Sequence, residues 1–173
     1  MARAGTPALR VSFDIDDTLV CGAQVPSEQH VPFLYRRRYP EPLRHGSRKL
    51  MRSLEQRGCR LWLYTSSGRA PGCLHGWFRA IGIRLEGVIN QDRHQQVAGR
   101  RGPSKFPPAF GIGLHIDDSE GVAMEAQAHR FHVVVVSPHD ERWTEHVLAA
   151  ADELLSARIN MHAIGPAMTR KAA

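Results

Sequence analysis

The chain has 173 residues and a mass of 19.3 kDa, with 42% hydrophobic and 23% charged residues. This is the size and composition of one globular domain, not of a disordered or fibrous chain. Its three cysteines are too sparse for a disulfide framework, and no CxxC pair is present to build a zinc ribbon. The first residues, MARAGTPALR, are not followed by an apolar signal-peptide core, and no apolar run has the length of a membrane span. We therefore expect a reduced, cytoplasmic protein.

The formal net charge is +6, and it comes mainly from arginine, because only Lys49, Lys105 and Lys171 are lysines. Two interpretations stay open at this point. One is a compositional preference for arginine. The other is attraction to an anionic partner, which includes phosphate esters and nucleic acid.

Short apolar runs alternate with amphipathic stretches along the chain. Strands are predicted where four to eight apolar residues are bounded by turn residues, and helices where apolar residues recur every three or four positions. The predicted elements, in chain order, are a strand at 9–15, a long loop at 21–45, a helix at 47–56 ended by Gly58, a strand at 60–64, a helix at 73–81, a strand at 87–89, a loop at 91–108, a strand at 112–116, a helix at 121–129, a central strand at 131–136, a helix at 141–157 and a flexible tail at 160–173.

This alternation predicts an α/β fold, a Rossmann-like three-layer sandwich whose mainly parallel central sheet has about five strands. Ligands of such sheets bind beyond the carboxyl ends of the strands. The residues that directly follow the apolar runs are therefore the candidates for a functional site.

Acidic residues follow two of the predicted strands. Asp14-Ile15-Asp16-Asp17 ends the first strand, and Asp117-Asp118 ends the strand at 112–116. One such cluster alone is explained by turn and helix-cap preferences. Two clusters at two strand ends repel each other, and a hard divalent cation such as Mg²⁺, which takes oxygen ligands, offsets that repulsion.

The spacing of Asp14 and Asp16 suggests a division of labour. One carboxylate can attack a phosphoryl group while the other gives a proton to the leaving group and later activates water. The charge that develops on the phosphoryl oxygens needs a hydroxyl and a cation. Thr65, directly after the RLWLY strand, offers the hydroxyl, and Lys105 offers the cation.

These motifs resemble those of the haloacid dehalogenase-like (HAD) superfamily of phosphohydrolases. DIDDTL matches the first motif, DxDxT, and LYTSS matches the second, an apolar strand that ends in Thr or Ser. Lys105 is the candidate for the lysine of the third motif, and LHIDDS matches the acidic fourth motif. The motifs occur in the family's order and span residues 9 to 119.

The resemblance implies a Mg²⁺-dependent phosphatase and a role for each matching residue. Asp14 is the expected nucleophile and a metal ligand, and Asp16 is the general acid and base that also binds the metal through its backbone carbonyl. Asp117 is the expected direct metal ligand, and Asp118 is expected to act either from outside the direct ligand set or through water. Thr65, with the backbone N–H of its neighbour Ser66, is expected to hold the phosphoryl group together with Lys105. The aspartate at position 16 points to phosphatases and phosphotransferases, between which the sequence does not choose.

The spacing between the motifs bears on the position of Lys105 and on how open the site is. Lys105 lies only 12 residues before Asp117, with no room for a full helix between them, so it is expected to reach the site from a loop. The segments after the first motif and after the second are too short for a folded cap domain. We therefore expect a single capless domain over residues 1–173 and an open site that takes a small or macromolecular phosphorylated substrate.

The remaining polar motifs leave alternatives open. Arg36-Arg37-Arg38, between Tyr35 and Tyr39, is either a solvated charge run or a grip for further phosphates, and aromatic rings beside arginines can stack on bases. His115 is expected to be a packed residue of its strand. A non-catalytic module that binds a phosphorylated ligand or nucleic acid on the same fold is the alternative to the phosphatase.

Overall fold

The computed structural model describes residues 7–29, 31–99 and 101–164. Its centre is a five-stranded parallel sheet with the strand order β5-β4-β1-β6-β7. The strands are β1 Arg10–Phe13, β4 Arg60–Tyr64, β5 Leu85–Ile89, β6 Leu114–Asp117 and β7 Val133–Val135. The helices are α1 Ser47–Gln56, α2 Pro71–Ala80, α3 Gln91–Ala98, α4 Glu120–His129 and α5 Trp143–Ile164.

The expected α/β, Rossmann-like fold is confirmed. The two faces of the sheet are covered separately, as the alternation of side chains along β4 shows. Leu61 and Leu63 join the main hydrophobic core, whereas Trp62 and Tyr64 join a smaller cluster with Ile89. The parallel strands are thus apolar on both faces, which is why they appear in the sequence as continuous apolar runs.

Helix α1 begins and ends where the sequence predicts, and local hydrogen bonds explain both ends. The carboxylate of Glu28 accepts the backbone N–H groups of Gly46 and Arg48 at distances of 3.1 and 2.8 Å, so it caps the amino end. At the other end Gly58 has a φ of +80°, the left-handed conformation in which glycine commonly stops a helix.

Four predictions about secondary structure need correction. Residues 91–98 of the expected loop form α3, and the expected central strand at 131–136 is the edge strand β7. The loop at 21–45 holds a two-stranded antiparallel pair, β2 Ser27–Glu28 and β3 Leu43–Arg44, and a 3-10 turn, Phe33–Tyr35. Helix α5 includes residues 160–164 of the expected tail, and residues 165–173 lie outside the described part of the chain.

Within the described ranges, none of the helices combines the length and the apolar character that crossing a membrane requires.

Candidate active site

The candidate site lies where β1, β4 and β6 end side by side. Asp14 directly follows β1, Thr65 directly follows β4, and Asp117 is the last residue of β6. Because β1 pairs with both β4 and β6, its carboxyl end lies between the ends of the other two. The parallel sheet therefore brings together the residues that the sequence places about fifty positions apart.

Asp14 and Lys105 form a buried ion pair. The Lys105 Nζ donates to Asp14 Oδ1 at 2.6 Å and to the backbone carbonyl of Tyr64 at 2.7 Å, and its side chain is 4% exposed. The same ammonium lies 3.9 Å from Asp117 Oδ2. One lysine is thus shared by the two carboxylates that end β1 and β6.

Lys105 reaches this position from a loop, without a helix of its own. The carboxylate of Glu125, on α4, accepts the Ser104 N–H at 2.7 Å and the Lys105 N–H at 3.2 Å. On the other side of the lysine, the Phe106 N–H donates to the Tyr64 hydroxyl at 2.8 Å. These anchors explain how a lysine so close in sequence to Asp117 still faces Asp14.

The two carboxylates near Lys105, Asp14 and Asp117, have pKa values shifted in opposite directions. Burial raises the pKa of Asp14 to about 6, against the attraction of Lys105, and the neighbouring Asp117 and Asp16 raise it further. For Asp117 burial acts in the same direction, but hydrogen bonds from His115 and from the Ser119 N–H, with the charge of Lys105, hold its pKa below the usual value. Hydrogen bonds thus outweigh burial at Asp117, whereas burial outweighs the ion pair at Asp14.

His115 joins Asp117 to the interior of the sheet, a role that the sequence analysis did not assign. Its Nε2 lies 2.9 Å from Asp117 Oδ2, and its Nδ1 lies 2.8 Å from Ser12 Oγ. Burial lowers the pKa of His115, so the ring is neutral, and we assign Nε2–H as the donor to Asp117 and Nδ1 as the acceptor from Ser12. The period of two along β6 places His115 and Asp117 on one face, and this was the signal available in the sequence.

Asp16 stands apart from these buried groups. Its side chain is 53% exposed, and the Arg69 guanidinium donates to both of its oxygens, at 2.7 and 2.8 Å. Arg69 also donates to Glu41 Oε1 at 3.0 Å. The next residue, Asp17, has a φ of +59°, a left-handed conformation that turns the chain after Asp16.

Thr65 and Thr18 are fully buried and hydrogen-bonded within the loops. The Thr65 hydroxyl donates to Ser67 Oγ at 3.0 Å and accepts the Ser67 N–H at 3.1 Å. Thr18 Oγ1 donates to Asp118 Oδ1 at 3.2 Å, which links the first acidic loop to the second. Burial and the nearby Asp117 raise the pKa of Asp118.

Ser66 faces a cavity of about 220 Å³ beside the strand ends. Its walls are the end of β4, helix α3 and the residues Gly99, Gly102, Pro103 and Ser104. The helix that the sequence analysis missed thus forms one side of the space next to Thr65.

The donor set fits a hard cation such as Mg²⁺. Asp14 and Asp117 supply two buried carboxylates, two negative charges around a single ammonium, and carboxylate oxygens are the ligands that Mg²⁺ prefers. Within the described ranges, however, no three or more His, Cys, Asp or Glu side chains are grouped as a metal site. The carboxylates of Asp16 and Asp118 therefore do not join those of Asp14 and Asp117 in one cluster.

Comparison with solved structures identifies this architecture. A HAD-superfamily hydrolase of subfamily IA from Geobacter sulfurreducens matches with a TM-score of 0.50 and 14% identity, over 74% of this chain and 89% of that one. The chain has a HAD-like fold. At this level of identity the likeness shows the shared fold, and it confirms the resemblance drawn from the DxDxT and LHIDDS motifs at the level of the fold.

Two further structures with the HAD-like fold or a phosphatase description give lower scores. A predicted phosphatase from Clostridium acetobutylicum has a TM-score of 0.48 and 12% identity, over 88% of this chain and 99% of that one. A predicted HAD-like family hydrolase from Porphyromonas gingivalis has a TM-score of 0.47 and 13% identity, over 86% and 98%. No protein-family model and no curated protein sequence matches the chain.

Proposed function

We propose that this chain is a Mg²⁺-dependent phosphomonoester hydrolase that forms an aspartyl-phosphate on Asp14. The observation that carries the proposal is the pairing of buried Asp14 with Lys105 at the end of the central strand, while Asp16, two residues later, is exposed. A fixed, buried carboxylate suits a nucleophile, and an exposed carboxylate suits a group that exchanges protons with a leaving group and with water.

The first step breaks the phosphate ester. A carboxylate oxygen of Asp14 attacks the phosphorus, the bond from phosphorus to the ester oxygen breaks, and that oxygen takes the proton carried by Asp16. Lys105 neutralises charge on Asp14 and on the phosphoryl oxygens, because its ammonium is held at the centre of the site.

The second step restores the enzyme. Asp16 takes a proton from a water molecule, and the water oxygen attacks the phosphorus of phospho-Asp14. The bond from phosphorus to the Asp14 oxygen breaks, which restores the Asp14 carboxylate and releases inorganic phosphate. We assign the backbone N–H of Ser66 and the Thr65 hydroxyl to hold the phosphoryl group in both steps, for which the Thr65 hydroxyl must exchange Ser67 Oγ for a phosphoryl oxygen. When bound, Mg²⁺ supplies positive charge to the phosphoryl oxygens. Asp14, Asp117 and the backbone carbonyl of Asp16 would hold it, with Asp118 contributing through water.

Arg69 must change partners for this chemistry. A guanidinium is always protonated, and here it occupies both oxygens of Asp16, so Asp16 cannot exchange a proton with a substrate until Arg69 moves. An arriving phosphate monoester offers the guanidinium an equivalent anion. We therefore assign Arg69 to bind substrate phosphate and to release Asp16 as it does so.

The test is phosphate release in the presence of Mg²⁺ from an aryl phosphate, nucleotides, sugar phosphates and oligonucleotides with terminal phosphates. Asp14→Asn and removal of the metal with EDTA are each expected to lower release by about a thousandfold or more. Asp152→Asn is the matched control, because Asp152 is an exposed carboxylate whose partner, Arg57, lies outside the site.

Release that survives Asp14→Asn would overturn the proposed nucleophile. Binding of Mg²⁺ and inorganic phosphate without release from any substrate would instead support the non-catalytic binding module.

A further inference from the structure

One exposed segment combines apolar and cationic side chains. We call residues 33–38, Phe-Leu-Tyr-Arg-Arg-Arg, the rim segment. Phe33 is 78% exposed, Leu34 87% and Tyr35 50%, which places them among the most exposed large apolar side chains of the described residues. Contiguous apolar exposure of this kind marks an interaction surface more often than a chance feature.

The arginines of the rim segment have no carboxylate partner among the described residues. Arg36 donates only to the backbone carbonyl of Val31, at 3.4 Å, and the Arg38 guanidinium lies 5.8 Å from the centre of the Tyr39 ring. Some exposed arginines elsewhere form ion pairs, such as Arg57 with Asp152 and Arg142 with Glu145. What distinguishes the rim segment is that its three arginines are consecutive in the chain. The rim segment therefore concentrates uncompensated positive charge in one place.

Contacts of the residues that directly follow the rim segment connect it to the candidate site. Tyr39 is buried, and its hydroxyl lies against Gly76 of α2, where a larger residue would not fit. Two residues later Glu41 accepts from Arg69, which in turn holds Asp16. The arginines thus end three residues before Glu41, which contacts Arg69, the partner of the proposed general acid Asp16.

We propose that the rim segment binds a single-stranded oligonucleotide whose terminal phosphate is the group hydrolysed at Asp14. The proposal rests on the proposed function. Three guanidiniums in sequence match a chain of phosphates, and the exposed faces of Phe33 and Tyr35 match unpaired bases, which stack on aromatic rings whatever their identity. The net charge of +6 adds a general attraction to the same partner.

An acidic peptide or an anionic lipid surface would also be attracted by the arginines. The aromatic rings favour the nucleic acid, because unpaired bases stack on exposed rings. A lipid surface would instead take up any exposed apolar side chain. Leu34 separates the alternatives further: it is apolar and exposed like Phe33 but cannot stack.

The binding test uses Asp14→Asn protein, so that no turnover interferes, and a fluorescein-labelled oligothymidylate of about twelve nucleotides with a terminal phosphate. Anisotropy titrations at several salt concentrations give the affinity and its salt dependence. Arg36→Gln/Arg37→Gln/Arg38→Gln is expected to weaken binding about tenfold or more and to reduce the slope of log K against log salt by about 2.

The matched control removes the same charge from exposed arginines elsewhere in the described chain, as Arg52→Gln/Arg60→Gln/Arg84→Gln. It is expected to change the affinity by less than about threefold. Phe33→Ala and Tyr35→Ala are each expected to weaken binding about tenfold with little change in the salt slope, whereas Leu34→Ala leaves the affinity unchanged.

Equal losses in the two triple variants would overturn the proposal, since net charge alone would then explain binding. So would rim-dependent binding to phosphatidylserine vesicles or to an acidic phosphopeptide that exceeds binding to the oligonucleotide. Phosphate release without rim-dependent binding would overturn this inference and leave the hydrolase. Rim-dependent binding without phosphate release by the wild-type protein would overturn the hydrolase and leave a nucleic-acid-binding surface.

Discussion

The inner and outer halves of the candidate site differ in burial and in the kind of ion pair that holds them. The inner half, Asp14, Lys105, Asp117, His115 and Ser12, is buried, and each of these side chains has a hydrogen-bond or ion-pair partner within the half. The outer half, Asp16, Arg69 and Glu41, is made of partly exposed ion pairs. The charged groups of the inner half are thus fixed, as a nucleophile requires. Those of the outer half can change partners, as a group that carries protons requires.

Because the inner half is buried, we expect the largest loss of stability and activity when Lys105 is replaced. Lys105→Met leaves two buried carboxylates without their shared cation, and breaking a buried pair in this way costs about 3–5 kcal/mol. We expect that loss in the free energy of unfolding measured with urea, together with loss of phosphate release. Lys49→Met is the control, because Lys49 is exposed. A loss below about 1 kcal/mol would show that the inner half does not depend on the lysine.

The next largest effect is expected at His115. His115→Phe removes the hydrogen bonds to Asp117 and Ser12 and costs about 1–3 kcal/mol in stability. It also frees Asp117 to rotate, so Mg²⁺ affinity, measured calorimetrically without substrate, should fall about 10–100-fold. Ser12→Ala removes only the more distant hydrogen bond and should have a smaller effect on both. Unchanged Mg²⁺ affinity in His115→Phe would contradict the positioning role.

In the outer half, replacing Arg69 should weaken substrate binding and change the free energy of unfolding only slightly. Arg69→Ala breaks partly exposed ion pairs, which contribute at most about 1 kcal/mol. Because we assign Arg69 to the substrate phosphate, KM should rise about tenfold in Arg69→Ala. Arg69→Lys should recover part of this loss, because lysine restores the charge but not the bidentate hydrogen bond. Steady-state kinetics and urea unfolding separate these quantities. An unchanged KM would mean that Arg69 serves Asp16 alone.

The smallest effect is expected at Glu41. Glu41→Gln leaves Arg69 paired with Asp16 only, so the guanidinium gives up fewer contacts when substrate arrives, and KM should fall about twofold. Glu145→Gln, which removes an exposed carboxylate paired with Arg142, is the control and should leave KM unchanged. A rise in KM on Glu41→Gln would show that Glu41 holds Arg69 in its active position.

The inner half was largely predictable from the sequence, because strand ends in a parallel sheet meet at one edge. Apolar runs located β1 and β6, and Asp14 and Asp117, which lie at the carboxyl ends of these strands, come together as that rule requires. The hydrogen bonds of His115 to Asp117 and Ser12 were not predicted. What the runs could not show is strand order: β7 is apolar like the central strands, yet it lies at the edge and its residues are only partly buried.

The outer half was not predictable, because it depends on contacts between polar residues far apart in the chain. Arg69 and Asp16 are 53 positions apart, and neither lies in a periodic apolar pattern. Helix α3 was missed for a related reason: it has no buried residue and thus no apolar face. Its start carried a signal, since the Asn90 side chain accepts the Arg93 N–H at 3.1 Å as a helix cap.

The most direct test of the account is to trap the phosphoryl group on Asp14. Protein mixed with Mg²⁺ and an excess of substrate is quenched in acid, reduced with borohydride, and digested for mass spectrometry. We predict that borohydride converts the acyl-phosphate at Asp14 to the corresponding alcohol in the wild-type protein and in Asp152→Asn. No such product is expected in Asp14→Asn. Phosphate release with no modification of Asp14, or with modification of another residue, would contradict the assignment of Asp14 as the nucleophile.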